Sequence, residues 1–147
     1  GPCSNYRRVL MTSEIQPYAQ PPSLEIENIE RGVGSASATY RVEAEHLNRK
    51  DMLHGGIVAG LMDVIMTTAA GCHPDLAQRR FAITLSLSLN FVGAAGLGTL
   101  RLQAETTGGG KQICFCEGRI EDSDGNLIAT AHGAFKLLES GSEKRDA

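Results

Sequence analysis

Residues 48–71 read NRKDMLHGGIVAGLMDVIMTTAAG, and this stretch decides the fold. From 57 to 71 almost every position is apolar or small, with Ile57, Leu61 and Ile65 on one helical row and Val58, Met62 and Met66 on the next. A helix with no wholly polar face has to be surrounded by protein. Asp63 breaks the pattern among Leu61, Met62, Val64 and Ile65. Burying a lone carboxylate is costly unless it is paired, hydrogen-bonded or protonated, which makes Asp63 a candidate for chemistry.

Working upstream, residues 24–30 alternate Leu24, Ile26 and Asn28 against Glu25, Glu27 and Ile29, an imperfect first strand. After a turn at Gly32 and Gly34, Ala36, Ala38, Tyr40, Val42 and Ala44 alternate with polar neighbours, the period of a half-buried strand. Downstream, Gly71 and Pro74 stop the helix, and residues 72–80 form a polar connection. From Phe81 the period becomes two: Ile83, Leu85, Leu87, Leu89 and Phe91 oppose Thr84, Ser86, Ser88 and Asn90. Strands are then expected over 97–107, 111–121 and 127–138, with turns at Gly108, Gly109 and Gly110 and at DSDGN, residues 122–126.

Two strands, one long helix and four strands joined by tight turns demand a mostly antiparallel sheet, an α+β architecture in which the sheet curls around the helix. One sheet still covers only one side of that helix. A dimer that extends the sheet and supplies the remaining walls is therefore expected.

The 147 residues suffice for one domain, read as a lead-in segment at 1–23, a domain at 24–138 and a polar tail at 139–147. The lead-in is expected to cap the domain, and its Gly1-Pro2 start reads as a processed or tag-derived end. Fourteen Lys and Arg against 17 Asp and Glu give a net charge of -3 with no basic stripe, which argues against nucleic acid as a partner. No stretch is long and apolar enough for a membrane span, and no signal-peptide core is visible, so a cytoplasmic protein is expected. Cys3, Cys72, Cys114 and Cys116 make no metal pattern with His46, His73 or His132; Cys114 and Cys116 share a strand face and read as reduced core thiols. Cys72 and His73 are adjacent but lack an orienting third group for a nucleophile. No cofactor motif is present.

Asn48, then His54-Gly55-Gly56, then Asp63 on the buried helix, followed by the strand at 83–92 and the Gly110-Lys111 hairpin, resembles the hotdog-fold acyl-CoA thioesterases of the PaaI-like branch, in the 4-hydroxybenzoyl-CoA thioesterase superfamily. The resemblance spans roughly 34–138. It implies that the Gly55 N–H, at a helix N-terminus with its positive dipole, polarises the thioester oxygen as an oxyanion hole. It also implies that Asp63 acts as nucleophile or general base and that the Thr84 hydroxyl helps align water near that carboxylate. Gly56 stands beside Gly55 as a substrate contact. Asn48 and His54 flank the helix start, as donors to the thioester or as organisers of the loop; Met62 and Met66 bear on pocket depth.

Coenzyme A carries phosphates and a long pantetheine arm, for which Arg79, Arg80 and Lys111 are candidate cations and Gly110 a backbone donor. The GGGK run is no nucleotide P-loop, because the spacing and the following Ser or Thr are absent. Asp63 lies eight residues beyond Gly55, about 12 Å along one helix, too far for both to grip one carbonyl group. The site should thus be shared between subunits of a homodimer, or of a tetramer built as a dimer of dimers. Departures from the family pattern are the Gly93-Ala94-Ala95 segment, where a Pro-containing turn is usual, and the length of the 72–80 connection. Other readings are an acyl-CoA-binding or sensing module without turnover, and a hotdog dehydratase or hydratase, disfavoured because no catalytic His closely follows Asp63.

Overall fold

The computed structural model describes residues 24–139. The lead-in at 1–23 and nearly all of the expected tail at 139–147 fall outside the described residues. Strands β1 (Ile26–Gly32) and β2 (Ser35–Val42) precede a short 3-10 turn, Ala44–His46; helix α1 (Gly55–Ala70) follows, and then β3 (Ala82–Phe91), β4 (Gly98–Gly109), β5 (Ile113–Glu121) and β6 (Leu127–Leu137). All six strands form one antiparallel sheet in the order β1-β2-β4-β5-β6-β3. Its inner face packs on the helix, as the sequence pattern requires.

The alternation decides which side chains meet the helix. Ala36, Ala38, Tyr40 and Val42 of β2, Leu100, Leu102 and Ala104 of β4, and Cys114, Cys116 and Ile120 of β5 are buried. They meet Val58, Leu61, Met62, Ile65, Met66 and Ala69 from the helix. The other side of the helix, carrying Gly56, Ala59, Gly60, Asp63, Val64, Thr67 and Thr68, is only partly covered or exposed. That is the half-wrapped helix expected from a single sheet.

Met62 and Met66 have 0% exposure and press on β5 at Gly118, where an added Cβ would lie 2.5 Å from Met62 Sδ. Both therefore fill the sheet-facing core, because their rows turn toward the strands. Cys72, Cys114 and Cys116 are free and buried. Burial pushes the Cys114 thiol up and the Cys116 thiol up to about 12. Since the thiolate is the reactive form, Cys114 and Cys116 should stay unmodified by iodoacetamide in the native protein and react once it is unfolded, as read by peptide mapping.

Two local corrections follow from bulges. Gly108 and Gly109 belong to β4, which is irregular between Thr106 and Gly108, so the turn starts only at Gly110, whose N–H donates to Ile113 O at 2.8 Å. Gly109 has φ 117, and an added Cβ there would lie 2.5 Å from Cys114 Cα and from Ile113 O, a place where only glycine fits.

The second correction reshapes β3. Its alternation predicts one continuous apolar row, yet Ile83 is 44% and Leu85 53% exposed. A register shift between Thr84 and Ser86 exchanges the faces of the strand, so that Ala82 and Thr84 turn toward the helix before it and Leu87 and Leu89 after it. The expected turn at 122–126 forms as read, with Asp122 Oδ1 accepting the N–H groups of Asp124 and Asn126 at 3.0 and 2.8 Å.

Candidate active site

The helix tip is set by the loop before it. Buried His46 accepts the Glu43 N–H on Nδ1 at 2.9 Å, which leaves Nε2 as the protonated nitrogen, 3.2 Å from Tyr40 Oη. The His46 carbonyl accepts the His54 N–H at 3.1 Å, Leu47 and Leu53 form a bridge, and Leu53 N–H donates to Ala95 O at 2.8 Å. Asn48 ties the middle of the loop: its Oδ1 accepts the N–H groups of Lys50 and Met52 at 2.8 and 3.2 Å. These bonds hold the loop backbone, and no hydrogen bond joins Asn48 to His54 among the described residues.

His54 is the N-cap, exposed, with no side-chain cap bond. Gly55 is the first helical residue, and among the described residues no acceptor takes its N–H or that of Gly56. The Phe91 ring stands beside this tip, 3.5 Å from where a Gly55 Cβ would be, and is 60% exposed. Its position follows from strand parity after the bulge, and sequence reasoning had given it no role.

Eight residues along the helix, Thr84 donates its hydroxyl to Asp63 Oδ1 at 2.6 Å. This contact exists because the β3 bulge turns Thr84 inward. Thr67, one turn beyond Asp63, donates to the Asp63 carbonyl at 2.6 Å and lies 3.3 Å from Thr84 Oγ1. Among the described residues Asp63 has no cationic partner, so a single hydroxyl and the open helix face define its surroundings. The arrangement leaves Oδ2 free to accept a proton or to attack.

The candidate cations gather elsewhere. Arg80 donates through Nε to Leu138 O at 2.9 Å, through Nη1 to Lys111 O at 2.6 Å and through Nη2 to Leu137 O at 3.2 Å, which clasps the end of β6 to the β4–β5 turn. Arg79 Nε donates to His73 O at 3.1 Å. Lys111 is exposed on the same turn as Gly110. These residues meet at the far end of the helix from Gly55, with Arg80 acting as a structural clasp. A groove of ≈ 770 Å³ lies across the sheet, lined by outward residues such as Ser37, Gln103, Arg119 and His132, and contains none of the candidate residues. No group of three or more His, Cys, Asp or Glu residues suited to a metal occurs among the described residues. Nor is any helix among them long and apolar enough to cross a membrane.

Residues 50–129 match the model of a family described as the thioesterase superfamily. A relative from Saccharolobus solfataricus, named as an esterase, is 26% identical over 117 residues, covering 80% of each chain. The PaaI protein of the Escherichia coli phenylacetic acid degradation operon superposes with a TM-score of 0.69 at 21% identity, covering 94% of this chain and 96% of that one. A hypothetical thioesterase of Streptococcus pneumoniae, solved with coenzyme A, gives 0.68 at 23% identity over 82% of this chain and 89% of its own.

Proposed function

Since this chain belongs to the thioesterase superfamily, we propose that it hydrolyses an acyl- or aryl-CoA thioester to the free acid and coenzyme A, with Asp63 as the reacting carboxylate. The observation that carries this reading is the Thr84 hydroxyl 2.6 Å from Asp63 Oδ1 on the open side of an otherwise apolar helix. The Thr84 hydroxyl occupies Oδ1 and leaves Oδ2 open as acceptor, which suits a general base. A water donates one proton to Asp63 while its oxygen bonds to the thioester carbon and the carbonyl π pair moves to oxygen. Collapse of the tetrahedral adduct expels the coenzyme A thiolate, which takes the proton back from Asp63. In the alternative route Asp63 itself displaces the thiolate, and water then cleaves the mixed anhydride.

The oxyanion partner in this proposal is the free N–H of Gly55, donated by a second subunit because the two groups of one chain lie about 12 Å apart. The sheet edges favour that assembly. Edge strand β1 carries Glu27, Glu30 and Arg31, whereas β3 on the opposite edge has no charged residue and no proline along Ala82–Phe91. An uncharged edge is the one free to pair with another copy. Two β3 edges meeting about a twofold axis extend the sheet and close the open helix faces on each other. Lys111, at the opposite end of α1 from Gly55, supplies a cation toward the phosphates of coenzyme A in this reading.

The test is a panel of short, medium and long saturated acyl-CoA thioesters together with benzoyl- and phenylacetyl-CoA, followed by free-thiol detection. Catalytic thiol release from at least one of them is expected. Binding of the panel with no release would replace this reading by that of an acyl-CoA-binding module.

The oxyanion role has its own test. Gly55 occupies the first helical position, where proline is well tolerated, and His54 has ψ 134, compatible with a following proline. Gly55→Pro removes the N–H and keeps the helix. Loss of kcat by about 10²-fold is expected, with little change in melting temperature; unchanged kcat would exclude the Gly55 N–H from the reaction.

A further inference from the structure

We propose that Thr67 is a positioning residue for the reaction, holding the Thr84 proton when Asp63 loses its charge; this rests on the function proposed above. The three oxygens are in sequence: Thr67 Oγ1 is 3.3 Å from Thr84 Oγ1, which is 2.6 Å from Asp63 Oδ1. The Thr67 proton is committed to the Asp63 carbonyl at 2.6 Å, and the Thr84 proton to the carboxylate. Neither proton lies between the two hydroxyls in this state, so the Thr67 oxygen presents an unused lone pair to Thr84.

That lone pair matters once the carboxylate is neutral. Whether Asp63 has taken the proton of water or has become an anhydride, Oδ1 is a poorer acceptor than before and the Thr84 O–H loses its charged partner. Rotation about the Thr84 Cβ–Oγ bond moves the hydrogen bond from Oδ1 to Thr67 Oγ1. No covalent bond breaks in this rotation. In the general-base route the proton sits on Oδ2, Oδ1 becomes the carbonyl oxygen of a neutral acid, and the Thr84 O–H stays partnered through Thr67 Oγ1. When the proton leaves with the thiolate, the rotation reverses.

A back bond from Thr to the carbonyl four residues earlier is ordinary helix chemistry. Thr68 shows it too, donating to Val64 O at 2.7 Å with no second hydroxyl in reach among the described residues. Thr68→Val is therefore the matched control. What sets Thr67 apart is the strand hydroxyl opposite it.

With the best substrate of the panel, Thr67→Val is expected to lower kcat about five- to tenfold at nearly unchanged KM. Thr67→Ser should restore most of the loss, and Thr68→Val should leave kcat at the wild-type level. In a Thr84→Val background, which has no proton to hold, Thr67→Val should cost nothing further. Full additivity of the two substitutions would overturn the proposal, as would a Thr67→Val enzyme with wild-type kcat. If Thr67→Val folds poorly, shown by its melting temperature, Thr67→Ala alone and in the Thr84→Val background decides by the same criterion. Loss of activity in Asp63→Asn alongside an unaffected Thr67→Val would refute this inference alone; full activity in Asp63→Asn would refute the catalytic reading beneath it.

Discussion

Asp63→Asn should reduce turnover by about 10²- to 10⁴-fold, measured as thiol release at saturating acyl-CoA, while the protein keeps its melting temperature. The amide preserves volume, and its oxygen still accepts the Thr84 hydroxyl now held at 2.6 Å by the carboxylate. What it cannot do is take a proton or attack a carbonyl. A structural carboxylate would give the opposite result, with stability lost and any turnover retained. Retained turnover would remove Asp63 from the mechanism.

The same variant tests where the oxyanion donor resides. Co-expression of Asp63→Asn and Gly55→Pro chains under different tags yields a heterodimer in which one of the two shared sites is intact and the other carries both lesions. Random pairing should then return about one quarter of wild-type activity, since about half of the dimers are mixed and each has one working site. If each site is built from one chain alone, no mixture recovers anything.

The second large effect concerns the fold itself. An added Cβ at Gly71 would lie 1.8 Å from Arg80 O and 2.7 Å from its carbonyl carbon, and the Gly71 carbonyl also accepts the Arg80 N–H at 2.9 Å. Both obstructing atoms are backbone, so no rotamer change can relieve the clash. The connection would have to move, and with it the three-carbonyl clasp made by the Arg80 guanidinium. Gly71→Ala is expected to destabilise the protein by ~3 kcal/mol or more and to lower its melting temperature by roughly 10 °C. A melting temperature within a degree or two of wild type would show that the connection yields freely.

Much of this organisation was legible in the sequence because hydrophobic period reports burial directly. The helix that is apolar nearly all round, the order of strands and the isolated Asp63 could all be read from it, since each depends on side-chain type at a fixed spacing. The bulges could not. A period-two run such as Ile83 to Phe91 carries no mark of the point where one extra residue is inserted, so the inward turn of Thr84 and the outward turn of Ile83 and Leu85 were hidden. The same limit placed Gly108 and Gly109 in the turn instead of the strand.

Side-chain use was likewise opaque where a residue can serve two ends. Arg80 and Lys111 have the same charge in the sequence, yet only the fold brings the carbonyls of residues 111, 137 and 138 around one guanidinium. Met62 and Met66 have the flexibility suited to a ligand tunnel, and only the fold shows that helix phase seats them on Gly118. His46 has no metal spacing, and its use in the loop, an imidazole that accepts the Glu43 N–H and a carbonyl that accepts the His54 N–H, is one that no sequence pattern reveals. Thr67 and Phe91 escaped notice because their significance lies in what stands opposite them.

The irregularity in β3 divides one strand into two halves with separate duties. Ahead of it, Thr84 turns inward to the Asp63 carboxylate; behind it, Leu87 and Leu89 pack on the core and Phe91 borders the helix tip. A substitution at Thr84 therefore changes the surroundings of Asp63 without touching the leucines that anchor the strand. A deletion of one residue at this point would restore unbroken pleating and rotate the hydroxyl into solvent, leaving a folded protein whose acid has lost its companion.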